Sequence, residues 1–199
     1  MDLKNLIVRL HEIDAVKFGE FTLKSGLISP IYIDLRVTVS YPEVLKMVAE
    51  AMWDKIKDLQ FDCLCGIPYT ALPFATVMSV EHNVPMLLRR KEVKEYGTKK
   101  AIEGNFKPGS TCLIVDDMIT NGASKFETIA PLKEAGLKIK DLVILIDREQ
   151  GGPAHLAAKG YALHSVFTIS EVLRVLESER KLNPELVKTS LEFIKNNQM

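Results

Sequence analysis

The spacing of apolar residues along the chain switches repeatedly between helical and strand-like periods. Leu3, Leu6 and Leu10 recur at helical spacing behind Asp2, a residue type that caps helices. Short apolar runs predict strands at residues 18–23, 29–35, 62–67, 85–88, 111–116, 141–147 and 161–167. Helical patterns predict helices at residues 3–13, 42–59, 72–82, 122–136 and 154–159, followed by two closing helices. This alternation predicts an α/β fold with a mostly parallel central sheet flanked by helices.

Several residues mark where the predicted helices begin, bend or end. Ser40 and Glu43 have the spacing of a capping box, and Pro42 suits a first helical turn, so we expect a helix to begin there. Asn183 is a suitable cap for the last helix. Pro131 lies inside a predicted helix, where it should remove a backbone hydrogen bond and kink or shorten the helix.

Charge and composition argue against several classes of protein. The 199 residues include 26 basic and 26 acidic side chains, and this balance argues against charge-driven binding to nucleic acid or membrane surfaces. No apolar run approaches the ~20 residues of a membrane span, and the N-terminal residues do not resemble a secretory signal. Cys63, Cys65 and Cys112 lie in apolar runs, which indicates buried reduced thiols and a cytoplasmic protein. The histidines are too widely spaced to suggest a zinc site.

Residues 112–124, CLIVDDMITNGAS, carry the strongest chemical signal in the chain. An apolar run ends in two adjacent carboxylates, Asp116 and Asp117, and a turn of small residues then leads into a predicted helix. The N–H groups of such a turn and of the helix N-terminus bind phosphate, while the carboxylates accept hydrogen bonds from sugar hydroxyls. The segment therefore indicates a sugar-phosphate site. Its turn residues are Thr120, Asn121, Gly122, Ala123 and Ser124.

The alternative interpretation of this segment is an ordinary strand-to-helix turn in which Asp117 or Thr120 caps the helix. Gly122 favours the phosphate site because a glycine lets the backbone approach a ligand closely. The pattern differs from a Walker motif because no Gly-Lys-Ser/Thr follows.

Residues 89–100 contain six basic and two acidic side chains, a local concentration of charge in a neutral chain. A solvated surface loop is the ordinary interpretation of such a run. Beside a sugar-phosphate site, however, a cationic loop can close over a polyphosphate, exclude water and neutralise a leaving group. The candidate phosphate-binding residues of this loop are Arg90, Lys91, Lys94 and Tyr96.

Two further segments contain candidate binding residues. Residues 24–34 combine Lys24 with Tyr32 around a glycine turn, although a plain hairpin with Tyr32 in the core explains the same pattern. Arg148 follows a predicted strand and is suited to gripping a planar carboxylate through two parallel hydrogen bonds; a surface ion pair with Glu149 is the alternative. Because ligands bind beyond the carboxyl ends of parallel strands, we expect three strand-end segments to converge on one pocket. These segments are 68–70, 116–124 and 147–148.

Taken together, these motifs resemble those of type I phosphoribosyltransferases, whose ribose-phosphate motif is similar to residues 116–124. Within that family, several segments in the same order resemble orotate phosphoribosyltransferase, most closely the orotate phosphoribosyltransferase domain of eukaryotic UMP synthase. The resemblance extends from about Phe18 to Leu173. The similar segments are FTLKSG at 21–26, SPIYIDLR at 29–36, IPYTALP at 67–73, RKEVKEYGTK at 90–99 and DREQGG at 147–152.

The resemblance implies transfer of the 5-phosphoribosyl group from phosphoribosyl pyrophosphate (PRPP) to orotate. The products would be orotidine 5′-monophosphate and pyrophosphate, in the biosynthesis of UMP. It also implies that residues 1–199 form a single domain of the type I phosphoribosyltransferase fold. A small hood of about residues 1–40 plus C-terminal elements would then cover a core of about residues 41–170.

The same resemblance implies a role for each matching residue. Catalytic roles are implied for Lys91, Lys94, Asp116 and Asp117. PRPP binding is implied for Lys24, Tyr69, Thr70, Arg90, Lys91, Lys94, Tyr96, Asp116, Asp117, Thr120, Asn121, Gly122, Ala123 and Ser124. Orotate binding is implied for Lys24, Tyr32, Ile33, Thr120 and Arg148. Many bacterial relatives have a histidine where this chain has Tyr96, so a general-acid role is not implied for that position.

The resemblance further implies magnesium, bound mainly through PRPP, pyrophosphate and water, and no metal ligand from the protein. It implies a homodimer in which the loop of residues 89–104 reaches the neighbouring subunit's site, and fusion to or partnership with orotidine monophosphate decarboxylase. No nucleic-acid or membrane partner is expected. Three alternatives stay open: a phosphoribosyltransferase for another base, a regulatory phosphoribosyl-binding module without catalysis, with or without RNA binding, and a structural partner domain.

Overall fold

The computed structural model describes residues 2–22, 26–90 and 101–198. The strands are β1 (Val16–Thr22), β2 (Ile28–Ile33), β3 (Cys63–Gly66), β4 (Met86–Arg89), β5 (Ile102–Glu103), β6 (Cys112–Ile119), β7 (Asp141–Asp147) and β8 (Ala162–Thr168). The helices are α1 (Leu3–Glu12), α2 (Pro42–Asp54), α3 (Ala71–His82), α4 (Ala123–Glu134), α5 (Gly152–Ala158), α6 (Ile169–Ser178) and α7 (Pro184–Asn196). A 3₁₀ helix spans Leu35–Ser40.

The main sheet has the strand order β5-β4-β3-β6-β7-β8. Neighbouring strands from β4 to β8 run parallel, and only the two-residue strand β5 pairs antiparallel, with β4. The α/β fold with a mostly parallel sheet is thus confirmed. Because β6 lies between β3 and β7, the segments that leave these three strands are neighbours at one edge of the sheet.

Both faces of the main sheet are covered by helices. On one face, Leu64 and Val143 pack with buried residues of α1, α2, α3, α6 and α7. On the other face, Cys65 and Ile144 pack with buried residues of α4 and α5. Burial on both faces explains why these strands read as continuous apolar runs. The three cysteines are buried free thiols, as predicted.

The N- and C-terminal parts of the chain form a smaller layer beside the main sheet. Strands β1 and β2 pair antiparallel, and α7 packs against β2. The predicted caps at both ends are confirmed: Asp2 accepts a hydrogen bond from the Asn5 N–H at 3.1 Å, and Asn183 accepts one from the Leu186 N–H at 2.8 Å. In the described part of the chain, no helix combines the length and apolar character needed to cross a membrane.

The predicted capping box at the start of α2 is wrong. The helix does begin at Pro42, but Ser40 belongs to the preceding 3₁₀ helix, and Tyr41 takes the cap position without a side-chain hydrogen bond. Glu43 instead forms an ion pair with Arg9 of α1. A tertiary contact between two helices has therefore replaced the local contact that the sequence suggested.

One element boundary near the acid pair differs from the prediction. Strand β6 continues to Ile119, whereas the predicted strand ended at Asp116, so Asp117 also lies within the strand. Helix α4 contains Pro131, as predicted, and ends at Glu134. Strand β6 pairs with β7 as far as Ile119. This pairing fixes the backbone that carries Asp116 and Asp117.

Candidate active site

A cleft of about 240 Å³ opens at the carboxyl edge of the main sheet. Its walls are the segment that follows β3, the end of β6 and the turn into α4. The sequence-predicted residues that line it are Thr70, Asp116, Asp117, Thr120, Asn121, Gly122 and Ser124. The expected convergence of the segments after β3 and β6 is therefore observed.

The turn into α4 has the geometry of an anion site. Gly122 precedes the helix at φ +90°, a left-handed conformation that glycine adopts without strain. The side-chain oxygen of Asn121 accepts a hydrogen bond from the Ala123 N–H at 3.1 Å, which fixes the entry into the helix. The positive end of the α4 dipole and its first N–H groups therefore lie at the cleft, where they favour a phosphate.

Helix α5 holds this turn from behind. The Gly152 N–H donates to the Thr120 carbonyl at 2.9 Å, and the imidazole Nδ1 of His155 donates to the Asn121 carbonyl at 3.1 Å. A Cβ at position 152 would lie 2.5 Å from the Ile119 side chain and 2.7 Å from the Thr120 carbonyl oxygen. Only glycine therefore fits there. The sequence analysis missed this support, although the Gly151–Gly152 pair was a signal of close approach.

The acid pair is divided between an internal and a cleft-facing role. The buried Asp116 accepts the Asp117 N–H at 2.9 Å through Oδ1 and pairs with Lys125 Nζ at 2.7 Å through Oδ2. Asp117 is less buried, and its Oδ1 accepts the Met118 N–H at 2.8 Å. Asp116 thus has both oxygens engaged within the protein, whereas the carboxylate of Asp117 interacts with that of Asp116, and both residues line the cleft.

The pKa of Asp117 is raised to about 7. Burial is the main cause because it disfavours the charged carboxylate, and the neighbouring charge of Asp116 raises the pKa further. The cation of Lys125 acts in the opposite direction and lowers it. Asp117 therefore gains or loses its proton near neutral pH, where a small change in the cleft alters its charge.

Lys125 is a residue that the sequence analysis missed. Its side chain is 4% exposed although it lies in the first turn of a surface helix. A signal was present: Lys125, Thr128, Ile129 and Leu132 recur at helical spacing and form the buried face of α4. A lysine on an apolar face needs an internal partner, which here is Asp116.

The backbone of Arg148 lies beside the phosphate turn, but segment 147–148 does not line the cleft with the other two predicted segments. The Arg148 N–H donates to the Ile119 carbonyl at 3.0 Å, which places Arg148 next to Thr120, and burial lowers the pKa of its guanidinium. The suggested ion pair with Glu149 is not formed; the Glu149 carboxylate accepts the Ser170 N–H at 2.8 Å instead. Across residues 2–22, 26–90 and 101–198, no carboxylate pairs with Arg148, which leaves it suited to an anionic ligand.

Tyr32 and Ile33 of β2 and Arg36 of the 3₁₀ helix are not among the residues that line the cleft. Tyr32 is 37% exposed and packs its ring 5.3 Å from that of Phe21, so it is not a core residue. Arg36 grips Asp34 through two hydrogen bonds of 2.6 and 2.7 Å, which raise the pKa of the guanidinium. The charge of Asp117 adds to that effect, so this segment and the acid pair face each other.

The remaining predicted residues divide into two groups. Tyr69 and Thr70 follow β3 as expected, and a cis peptide bond joins Pro68 to Tyr69. Arg90 forms an ion pair with Glu103 at 2.6 Å. Four predicted residues lie outside the described part of the chain: Lys24, Lys91, Lys94 and Tyr96.

The parallel sheet, the acid pair and the phosphate turn define a phosphoribosyltransferase. The phosphoribosyl transferase domain family matches residues 39–178. An orotate phosphoribosyltransferase of Caenorhabditis elegans is 44% identical over 178 residues, which cover 88% of this chain and 78% of that protein. The chain belongs to the orotate phosphoribosyltransferase family.

Longer proteins match the chain over nearly its whole length. The uridine 5′-monophosphate synthase of Bos taurus is 50% identical over 197 residues, 98% of this chain and 41% of that protein. The structure of the Leishmania donovani UMP synthase superposes with a TM-score of 0.90 at 36% identity, covering 98% of this chain and 43% of the other. The chain thus spans about two fifths of the length of these relatives.

Proposed function

We propose that this cleft is where the chain transfers the 5-phosphoribosyl group from PRPP to orotate. The products are orotidine 5′-monophosphate and pyrophosphate, and the reaction belongs to pyrimidine biosynthesis. The observation that carries the proposal is that the acid pair is followed immediately by the phosphate turn at the cleft. Beside this turn lies Arg148, which has no carboxylate partner among the described residues. The names of the relatives agree with the proposal.

In this proposal PRPP lies across the cleft from the turn before α4 to the segment that follows β3. Its 5′-phosphate binds at the positive end of α4, on the turn of Thr120 to Ser124. The ribose hydroxyls then reach the carboxylate of Asp117. The pyrophosphate extends toward Thr70 on the opposite wall. These three contacts rest on residues that line the cleft, whereas Tyr69, Lys24 and the cationic loop are assigned from the resemblance.

In this proposal orotate lies next to the cleft, between Arg148 and strand β2. The guanidinium of Arg148 binds the planar carboxylate through two parallel hydrogen bonds, and Thr120 lies next to it. Tyr32 and Ile33 border the ring from the opposite side. A base without a carboxylate would leave the partly buried Arg148 unpaired, which gives the site a reason to prefer orotate.

The chemistry needs charge stabilisation and not a protein nucleophile. As the bond between ribose C1 and the pyrophosphate oxygen breaks, positive charge develops on the sugar, and the anion of Asp117 favours it. The N1 of orotate, once deprotonated, attacks C1 directly. Negative charge on the departing pyrophosphate is neutralised by Lys91 and Lys94 in this proposal.

Magnesium fits this donor set as a substrate-borne ion. Both oxygens of Asp116 are engaged within the protein, so most magnesium ligands come from PRPP, pyrophosphate and water. Bound in this way, the ion adds positive charge to the departing pyrophosphate. The residues of this chain hold the ribose and its 5′-phosphate while that charge develops.

Three wider assignments belong to the same proposal. The chain acts as a homodimer that shares the connection between β4 and β5, the inner part of the predicted loop of residues 89–104, between subunits. It acts in the cytoplasm, which the three free thiols support. In a longer protein it would be joined to orotidine monophosphate decarboxylase, and the length of the UMP synthase relatives is consistent with that.

The test is a base panel. Absorbance of orotate is followed with PRPP and magnesium, beside uracil, hypoxanthine and adenine as competing acceptors. We expect consumption of orotate alone, with one pyrophosphate released per orotate. Turnover of another base instead of orotate would contradict the substrate assignment. Binding of PRPP without turnover of any base would favour a regulatory module.

A further inference from the structure

The most unusual group in the cleft is the cation of Lys125. It extends from the first turn of α4 back to β6, with a side chain only 4% exposed. All three donors of its ammonium group have a partner: Asp116 Oδ2 at 2.7 Å, the Met118 carbonyl, and Ser124 Oγ at 3.4 Å. One buried cation therefore contacts both the acid pair's strand and the phosphate turn.

Stability alone gives a weak reason for this arrangement. Burying a lysine and an aspartate together costs desolvation energy that their attraction repays only partly, and apolar pairs of similar volume are often equally stable. A lysine on the buried face of α4 therefore calls for a role in the site. Its contacts show what it can do, because it holds one oxygen of Asp116 while the Asp117 N–H holds the other.

We propose that Lys125 is a positioning residue that fixes Asp116 as an internal carboxylate, directs Asp117 toward the ribose hydroxyls and supplies positive charge behind the 5′-phosphate turn. The inference rests on the proposed function, since it assigns parts of the PRPP site. It extends that function by adding a buried protein cation to the phosphate subsite, where the helix terminus would otherwise act alone.

The effect on protonation follows from the charges around the acid pair. The charged groups that face it are Lys125 from α4 and Arg36 from the 3₁₀ helix, and within β6 the two aspartates face each other. Removing the Lys125 cation makes the ionised pair less favourable, so the pair as a unit should bind its proton at higher pH. The loss of that charge also weakens the attraction for phosphate.

Three variants test the inference. Lys125→Met removes the charge and keeps an unbranched chain, and Lys125→Arg restores a cation. Thr128→Val is the matched control, because Thr128 is buried one turn further along α4 and only donates to the Ser124 carbonyl, at 3.2 Å. Thermal unfolding verifies that each variant folds. If Lys125→Met alone does not fold, the double variant Asp116→Asn with Lys125→Met removes both members of the ion pair and avoids an unpaired buried charge.

The readouts are the pH profile of kcat/KM for PRPP and the carboxyl NMR titration of Asp117. For Lys125→Met we expect both midpoints to rise by about one pH unit and the KM for PRPP to rise about tenfold, with little change for orotate. Lys125→Arg should restore most of the loss, and Thr128→Val should change neither midpoint. In the Asp116→Asn background, Lys125→Met should still raise the Asp117 midpoint, because the Lys125 cation also acts on Asp117 directly.

Failure of this inference differs from failure of the proposed function. Wild-type turnover of orotate with unchanged midpoints and an unchanged KM in Lys125→Met would overturn the role of Lys125 alone. A wild type that turns over no base would overturn the proposed function. In that case the NMR titration of Asp117 in the wild type and in Lys125→Met would still decide whether Lys125 sets the protonation of Asp117.

Discussion

At the scale of single residues, the role proposed for Arg148 predicts that its loss weakens orotate binding more than PRPP binding. Arg148 lies next to Thr120, and its suggested partner Glu149 is engaged with Ser170. We expect Arg148→Ala to raise the KM for orotate by about a hundredfold, because two charge-assisted hydrogen bonds are lost. The KM for PRPP should change less than about threefold.

Steady-state kinetics with each substrate varied in turn measures both effects. Arg174→Ala is the control, since Arg174 is an exposed arginine on α6. Arg148→Lys should recover only part of the loss, because an ammonium group cannot form the parallel pair. Equal increases in both KM values would contradict the assignment of Arg148 to the orotate carboxylate.

Asp117 links catalysis to stability through its raised pKa of about 7. Since an unfolded aspartate titrates near pH 4, the folded protein binds the extra proton between about pH 4 and 7, and stability falls as the pH rises through that window. Asp117→Asn removes this pH-dependent loss of stability, because asparagine carries no titrating proton. We expect the variant to reduce kcat at least a hundredfold and to stabilise the fold by about 2.5 kcal/mol more at pH 8 than at pH 5.

Urea unfolding at the two pH values checks the stability of Asp117→Asn against the wild type. Asp141→Asn serves as a comparison, because Asp141 pairs with His164 at the opposite end of β7 from the cleft. A stability difference for Asp117→Asn that is the same at pH 5 and pH 8 would show that Asp117 is already ionised in the folded protein at pH 5.

At the scale of elements, the contact of α5 with the phosphate turn sets the position of that turn. Gly152→Ala places a methyl group 2.5 Å from the Ile119 side chain, so the turn must move away from α5. We expect the KM for PRPP to rise at least tenfold and the unfolding free energy to fall by about 2 kcal/mol. Ala154→Ser adds one atom on the exposed side of the same helix and should change neither.

Calorimetric titration with PRPP measures the affinity without requiring turnover, and urea unfolding measures the stability. Wild-type affinity in Gly152→Ala would mean that the turn tolerates the shift and that α5 does not position it. A loss of stability with normal affinity would assign Gly152 to folding alone.

The elements of the core could be predicted from the sequence because local pattern and burial agree there. The strands buried on both faces read as apolar runs, and Asp2 and Asn183 cap helices through contacts within one turn. The start of α2 was misread because Glu43 binds Arg9, which lies far away in sequence. Local signals identify local contacts and miss their replacement by tertiary ones.

The candidate site shows the same division. Asp116, Asp117 and the turn residues form a contiguous motif, so the sequence placed them together, and the cleft confirms it. Gly152 was missed because it supports the turn from a helix about 30 residues further along the chain, and no local pattern reports that contact. Lys125 was missed because charged helix residues are usually solvated, although its apolar helical face was visible in the spacing.

At the scale of the whole molecule, the cleft combines residues from distant parts of the chain. The main sheet supplies the acid pair, and the segment after β2 brings Arg36 close enough for the charge of Asp117 to act on it. Helix α7 packs against β2, so the C-terminal part of the chain supports the strand that the proposal assigns to orotate binding. A change in β2 or in α7 should therefore alter the position of Arg36 relative to Asp117.

The proposed homodimer makes a prediction about mixed subunits. Lys94 lies outside the described residues, and the resemblance assigns its loop to the neighbouring subunit's site, whereas Asp117 belongs to the cleft of its own subunit. Lys94→Ala and Asp117→Asn should each be nearly inactive alone. In a random mixture, half of the dimers contain one of each subunit and have one complete site, so about a quarter of the wild-type rate should return.

The matched control mixes Arg148→Ala with Asp117→Asn. The proposed function assigns both residues to the site of one subunit, so no mixed dimer contains a complete site. The rate should then not exceed the average of the two variants. Refolding the subunits together from denaturant produces the random mixture, and sedimentation verifies the dimer. Recovery in neither mixture would place Lys94 in the same subunit's site as Asp117 or make the chain a monomer, and sedimentation separates these two cases because a same-subunit loop still permits a dimer.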